Sequence, residues 1–188
     1  MEDSIKFDPR KLEKLNDPNR LEIIRPDVIW KILDLKNPRV LVDIGAGTGF
    51  FAKVFAGKIP DGKLYACDSS PIMVGWMREN RKENNIISLL SAESSIPLKK
   101  ETADLIYMIL VHHELHEPEK LLSEIFRLLK ADGKIAIVDW KKEMMKEGPP
   151  IEIRIPEETV MNQLRNAGFR DVEHFDVFPL HYLIIGQK

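Results

Sequence analysis

The sequence predicts an α/β domain, doubly wound, in which a seven-stranded and mostly parallel sheet carries helices on both faces. Three observations predict it. From Arg39 onward, short β-branched or aliphatic runs alternate with amphipathic stretches, the pattern of strand, crossover helix and next strand. A glycine-rich turn, DIGAGTG from Asp43 to Gly49, stands between the first such run and the first such stretch. The closing runs, VEHFDVF and HYLIIG, are separated by Pro179-Leu180 with no room for a helix, so they must pair antiparallel.

The elements follow in order. Residues 1–19 are mostly charged and read as loop; Pro26 to Leu35 reads as a helix with Val28, Ile29, Ile32 and Leu33 apolar. RVLVDIG is the first strand, TGFFAKVFAG the first crossover helix and KLYACD the second strand. Ser70-Pro71 pairs a hydroxyl N-cap with a proline whose missing N–H costs nothing there. The helix it opens is expected to present Ile72, Met73 and Trp76 on one face and to fade near Asn84-Asn85. IISLL and DLIYMILV supply strands three and four. Glu117-Pro118 opens a helix with Leu121, Leu122, Ile125, Leu128 and Leu129 as its core stripe. Asp132-Gly133 turns the chain into KIAIVDW, and Pro156 opens a last helix with Val160, Met161 and Leu164 inward and Gly168 at its C-terminal cap. Nothing marks a boundary, so residues 1–188 read as a single domain: a flank or lid over 1–38 and a core over 39–188.

Composition narrows the class. Against 30 Asp+Glu stand 28 Lys+Arg, a net charge of -2, which supplies no overall basic field for nucleic acid. The longest apolar run, Leu105 to Val111, has seven residues where a membrane span needs about twenty. The N-terminus lacks a signal-peptide pattern, so a cytoplasmic location is expected. The one cysteine, Cys67, excludes an internal disulfide and a Cys-rich zinc module.

The first turn carries the chemistry. Gly45 and Gly47 remove β-carbons that would hold a nucleoside ligand off the backbone, and Gly49 allows close packing of helix on strand. Asp68 ends the second strand, placed to accept hydrogen bonds from both hydroxyls of a ribose. Phe50 occupies the position of the third glycine of a dinucleotide fingerprint, so a pyrophosphate is disfavoured. Asp43 suits the ammonium of an amino-acid cofactor better than a phosphate. S-adenosylmethionine carries that ammonium and no phosphate.

DIGAGTG, CDSS and SAESSIPL together resemble the class I S-adenosylmethionine-dependent methyltransferases, over Arg39 to the C-terminus. The resemblance implies a Rossmann-like sheet of order 3-2-1-4-5-7-6 with strand 7 antiparallel, and S-adenosyl-L-methionine as cofactor. Carried over by position, Asp43 faces the methionine end, Gly45, Ala46 and Gly47 form the backbone approach, Asp68 with Ser69 holds the ribose, and Ala92 or Glu93 meets the adenine edge. Counted back from Pro97, the family's acidic position falls on Ala92, with Glu93 one place off. FDP with LEKLNDPNR, HHELHEP, and DWKKE with GPP resemble a branch of type 11 methyltransferases related to those of quinone biosynthesis, without indicating a substrate.

Methyl transfer is an in-line displacement that depends on positioning and exclusion of water, and an acceptor of high pKa needs a general base. His112 or His113, after strand four, is the candidate; the alternative is that the histidine shapes the pocket wall. A metal reading through His112, His116 and Asp139 is disfavoured, because the segment is not HExxH and the family's catechol-chelating sites use carboxylates and an amide. Trp140 lines the substrate mouth or packs under the KKEMMKEGPP loop. Lys141, Lys142 and Lys146 alternate with Glu143 and Glu147, as on a solvated face. Arg20 and Arg154 are candidates for holding a carboxylate. Strand four ends without the Asn/Asp-Pro-Pro-aromatic motif of nucleic-acid-base methyltransferases or a Pro-Cys, and a lone cysteine cannot support multi-thiol arsenic methylation. A small-molecule acceptor is expected, with no nucleic acid, membrane or metal. The alternatives are a non-catalytic sensor or partner-binding domain of the same fold, with Phe7, Met144-Met145 and the GPP loop as contacts, and a nicotinamide oxidoreductase, which Phe50 disfavours.

Overall fold

The computed structural model describes residues 12–188. Its seven strands are β1 (Val40–Ile44), β2 (Lys63–Asp68), β3 (Ile86–Leu90), β4 (Ala103–Ile109), β5 (Leu129–Trp140), β6 (Arg170–Phe175) and β7 (His181–Gln187). They form one sheet in the order β3-β2-β1-β4-β5-β7-β6. The first five are mutually parallel, and β7 runs antiparallel to both β5 and β6, as the resemblance implies.

Alternation along each strand divides the interior in two. Leu41, Tyr107, Ile109, Ala136 and Val138 point to one face and join Phe51, Phe55 and Met77. Val42, Ile44, Ile106, Met108, Ile135 and Ile137 point to the other and join Leu121, Ile125, Val160 and Leu164. Helices therefore cover both faces: α3 (Pro26–Leu33), α4 (Phe50–Ala56) and α5 (Pro71–Asn80) the first, α6 (Pro118–Leu128) and α7 (Glu157–Asn166) the second. Central strands buried on both sides carry unbroken apolar runs, which is why DLIYMILV contains no exposed alternation.

Several expectations need correction. The segment read as loop up to Asn19 contains α1 (Leu12–Leu15), and α2 (Arg20–Ile23) follows it; helices of four residues leave no periodic signature. α3 ends at Leu33, where Asp34 turns left-handed. Ser70 does cap α5, its hydroxyl accepting from Met73 N, but the helix stops at Asn80 and buries Met73, Val74 and Met77. Ile72 is 60% exposed and Trp76 packs only at the core margin. Leu129 is buried but belongs to β5, since the chain leaves helix for strand at that residue. Gly168 sits one residue beyond the cap of α7, at φ +97°, where the amide of Phe169 returns to the carbonyl of Leu164, a closure that favours glycine.

Candidate functional site

The carboxyl ends of the parallel strands open into a cavity of about 1270 Å³, the position where open α/β sheets hold ligands. Its wall includes the turn after β1, the end of β2 with Ser69, residues 91–93, 109–111 and 113–115, Trp140, Lys146–Pro149, His181, and on the outer side parts of 14–24.

The turn is rigid for reasons of its own. Gly45 has φ +69°, and a β-carbon there would lie 2.5 Å from Val111 Cγ2, so this glycine admits the loop after β4, not a ligand. A β-carbon on Gly47 would meet Leu15 Cδ1 at 3.2 Å, across the cavity mouth. Gly49 faces Met77 of α5, so the close packing it allows is helix on helix. Asp68 braces the turn: its carboxylate accepts from Gly47 N at 2.7 Å and Ser70 N at 2.8 Å. Burial raises the Asp68 pKa, with the backbone N–H groups working against the rise. Ala46 N in turn donates to Cys67 O.

Asp43 is 3% exposed. Burial pushes its carboxyl well above the ordinary range, Asp68 adds to the rise, and Arg20 opposes it. Arg20 comes from α2, its guanidinium over Phe51 at 4.8 Å and Phe50 at 5.3 Å; burial brings its pKa down to about 10 against the pull of Asp43 and Asp17. Thr48 Oγ1, on the same wall, is buried without a hydrogen-bond partner.

On the adenine side, Ala92 N is taken by Ser95 O. Glu93 accepts from His116 N at 2.8 Å and Glu117 N at 3.0 Å, and His116 Nδ1 lies 3.1 Å from its other oxygen. Both residues remain on the cavity wall, but the Ala92 amide is spent within its own turn and the Glu93 carboxylate already holds the loop before α6.

The two candidate histidines separate at a 3-10 turn, His112–Glu114. His113 lines the cavity; its Nδ1 lies 2.7 Å from Asp139 Oδ1, and its backbone N–H donates to Oδ2 at 3.0 Å. Burial alone would lower its pKa, but the hydrogen bond and charge of Asp139, with Glu114, raise it overall. Asp139, 1% exposed, also accepts from Trp140 N. His112 points away from the cavity, its Nε2 2.9 Å from Gln163 Oε1 of α7, and burial lowers its pKa. Because the turn is not an α-helix, His112 and His116 share no face. Among the described residues no group of three His, Cys, Asp or Glu side chains could hold a metal ion.

The sequence reading missed His181. It is 1% exposed, its ring lies 4.2 Å from that of Trp140, and neither ring nitrogen has a partner. Its place opposite Trp140 depends on the β5–β7 register, which the sequence does not display. Trp140 takes both suggested roles: it reaches the cavity wall and lies under Gly148 of the loop. Arg154, 3% exposed, donates to the carbonyls of Pro149, Lys141, Glu143 and Glu147, so its fork shapes a loop and is not free for a substrate carboxylate. Lys141 pairs with Asp176. Met144 is 88% exposed; Phe7 lies outside the described residues. No described helix is long and apolar enough to cross a membrane.

The family described as "Methyltransferase domain" matches residues 42–137. A solved structure of a SAM-dependent methyltransferase from Aquifex aeolicus is 37% identical, with a TM-score of 0.91 over 97% of this chain and 99% of that one. Among curated proteins, a malonyl-[acyl-carrier protein] O-methyltransferase of Methylococcus capsulatus is 25% identical over 58% of this chain and 40% of its own. A demethylmenaquinone methyltransferase of Thermus thermophilus is 23% identical over 65% of this chain and 59% of its own, a slight link to the quinone-related branch. The chain thus spans about two fifths to three fifths of these two relatives.

Proposed function

The chain belongs to the methyltransferase-domain family, and from that premise we propose that it transfers the methyl group of S-adenosyl-L-methionine to a small-molecule acceptor by in-line displacement. The cofactor supplies a methyl group already activated by a sulfonium. The residues present fit it. Asp43 is a buried carboxyl that burial holds well above its ordinary pKa despite Arg20, so that an ammonium would stabilise its charged form. Thr48 Oγ1 is an unpartnered buried hydroxyl, and Asp68 retains lone pairs beyond the two its backbone donors use. Asp43 would hold the ammonium, Arg20 the carboxylate and Asp68 the ribose, with Ser69 and the Gly45-Ala46-Gly47 backbone beside them. Ala92 and Glu93 would border the adenine through their position on the wall, not through the groups they have already committed.

The observation that carries the catalytic reading is the His113–Asp139 pair on the cavity wall. With Nδ1–H donated to Asp139, Nε2 is left as the proton acceptor. A general base so held contributes typically about 10²–10⁴-fold. His113 is accordingly the base in this reading, and His112 a support beneath it. The Lys146–Pro149 loop and parts of 14–24 stand on the cavity wall and would shield a bound ligand from water. That enclosure supports a small acceptor over a macromolecular one.

Calorimetry with S-adenosylhomocysteine tests the reading. The wild type is expected to bind it, and Asp68→Ala to weaken binding about 10- to 100-fold, the value of a hydrogen bond to a charged group. No binding by the wild type would sink the proposal. Binding without turnover over a broad acceptor panel would point instead to the sensor reading.

A further inference from the structure

Beyond the cofactor turn, the cavity wall carries a half-buried carboxylate, that of Glu114, which no described residue hydrogen-bonds. Glu114 Oε1 lies 3.8 Å from His113 Nε2, and the side chain keeps 31% exposure. Asp68 and Glu93 are engaged by backbone N–H groups, Asp43 lies in the field of Arg20, and Glu147 is exposed on its loop. Asp139, buried just beneath, adds a further negative charge. The lysines on this wall, Lys14 and Lys146, are exposed. The charge of buried Arg154 opposes these carboxylates at His113. With the two carboxylates of Glu114 and Asp139 against one guanidinium, the space beside a neutral His113 is on balance electronegative, a field that attracts cations and repels carboxylates and phosphates.

A second observation is independent of that charge. His181 stands on the same wall with both ring nitrogens buried and unpartnered. Leaving such groups unsatisfied is costly, and a ligand group that the ring turns to meet recovers that cost. Burial brings the His181 pKa down to about 4, so near neutrality the ring is uncharged, with one nitrogen donating and one accepting. It complements a hydroxyl or an amide better than an ion.

We propose that the acceptor is a small amine that enters as its ammonium ion against Glu114, gives up a proton to His113 Nε2, and carries a neutral polar group read by His181. This rests on the methyltransferase reading above. The step balances: one N–H bond breaks as His113 takes the proton, and the freed nitrogen lone pair forms the N–CH₃ bond. The S–CH₃ bond breaks with its electron pair retained on sulfur, giving S-adenosylhomocysteine. The methylated amine leaves as an ammonium, and His113 returns its proton to solvent. Confining a second positive charge beside the cofactor disfavours the ammonium, which drives the proton toward the His113–Asp139 pair.

The test uses the full chain loaded with S-adenosylhomocysteine and three probes of similar shape, read by calorimetry: phenethylamine, tyramine and 3-(4-hydroxyphenyl)propionate. Phenethylamine is expected to bind at least tenfold more tightly than the propionate, and tyramine more tightly again. Glu114→Gln should abolish the preference for the ammonium, Glu114→Asp should retain part of it, and His181→Phe should remove only the advantage of tyramine. Melting curves establish that each variant is folded; should Glu114→Gln fail to fold, the preference of the wild type decides. Equal binding of amine and carboxylate, absence of binding by all three probes at millimolar concentration, or a preference untouched in folded Glu114→Gln would overturn the proposal. Failure of the wild type to load with S-adenosylhomocysteine would overturn the methyltransferase reading itself, and this proposal with it.

Discussion

His112 and His113 are neighbours in the chain and opposites in environment. One is sealed against Gln163, with burial lowering its pKa; the other is raised by Asp139 and Glu114. In the proposed reaction His113 works only when unprotonated, so kcat/KM is expected to rise with pH through a pKa above the ordinary histidine value. In Asp139→Asn the raising charge is gone, so that limb should move to lower pH while the plateau falls. His113→Ala should lose about 10²-fold in kcat with S-adenosylhomocysteine affinity kept. An unmoved pH limb in Asp139→Asn would remove Asp139 from the mechanism. The linkage to stability runs the other way from the activity. A folded pKa raised above its unfolded value contributes stability that is full below about 6.5 and is lost as pH rises through the folded pKa. The sequence places both histidines on the loop after strand four because strand ends are readable. Choosing between them required χ angles and a turn type that spacing does not encode, and His181 lay 68 residues further along the chain.

At the scale of elements, legibility followed period and length. Helices of ten or eleven residues, α5, α6 and α7, announced themselves by a capping Ser or Pro; α1 and α2, with four residues each, did not. The inward face of α5 was misjudged because Ile72 is apolar yet faces the cavity at 60% exposure, a position a ligand would cover. The loop between β5 and α7 was read as charged and solvated. Its exposed lysines and glutamates fit that description, but its conformation comes from Arg154, whose guanidinium gathers four of its carbonyls. Lysine offers a point charge in place of a planar fork. Arg154→Lys is therefore expected to leave about two of those carbonyls unpaired, at about 1–3 kcal/mol each. It should lower the melting temperature by several degrees and raise KM for the acceptor more than it changes cofactor affinity. Unchanged melting would mean that the loop holds its shape without the clip.

Over the whole molecule, the fold class was legible because an α/β alternation with a closing hairpin leaves few topologies open, and the strand order followed from the resemblance carried by DIGAGTG, CDSS and SAESSIPL. The relation of the N-terminal flank to the site was not, since it rests on single side chains. Arg81, at the end of α5, shows why. Its Nε donates to Thr48 O at 2.8 Å, its Nη2 to Asn16 Oδ1 at 2.8 Å, and its guanidinium lies 4.9 Å from the Trp76 ring. It thus joins the cofactor turn to the segment that brings Leu15 and Arg20 over the cavity, without itself lining it. If that segment closes over the cofactor, ligand binding and ordering of residues 12–24 are one equilibrium, and each must strengthen the other. Hydrogen exchange with and without S-adenosylhomocysteine should show slower exchange at Leu12–Ile24, beyond the global stabilisation of about 2.7 kcal/mol expected at a hundredfold excess over Kd. Arg81→Ala should weaken S-adenosylhomocysteine binding about 5- to 20-fold, the worth of one or two hydrogen bonds, and abolish the added protection. Unchanged exchange across Leu12–Ile24 in the wild type would mean that the flank is a fixed wall and that Arg81 only braces the turn.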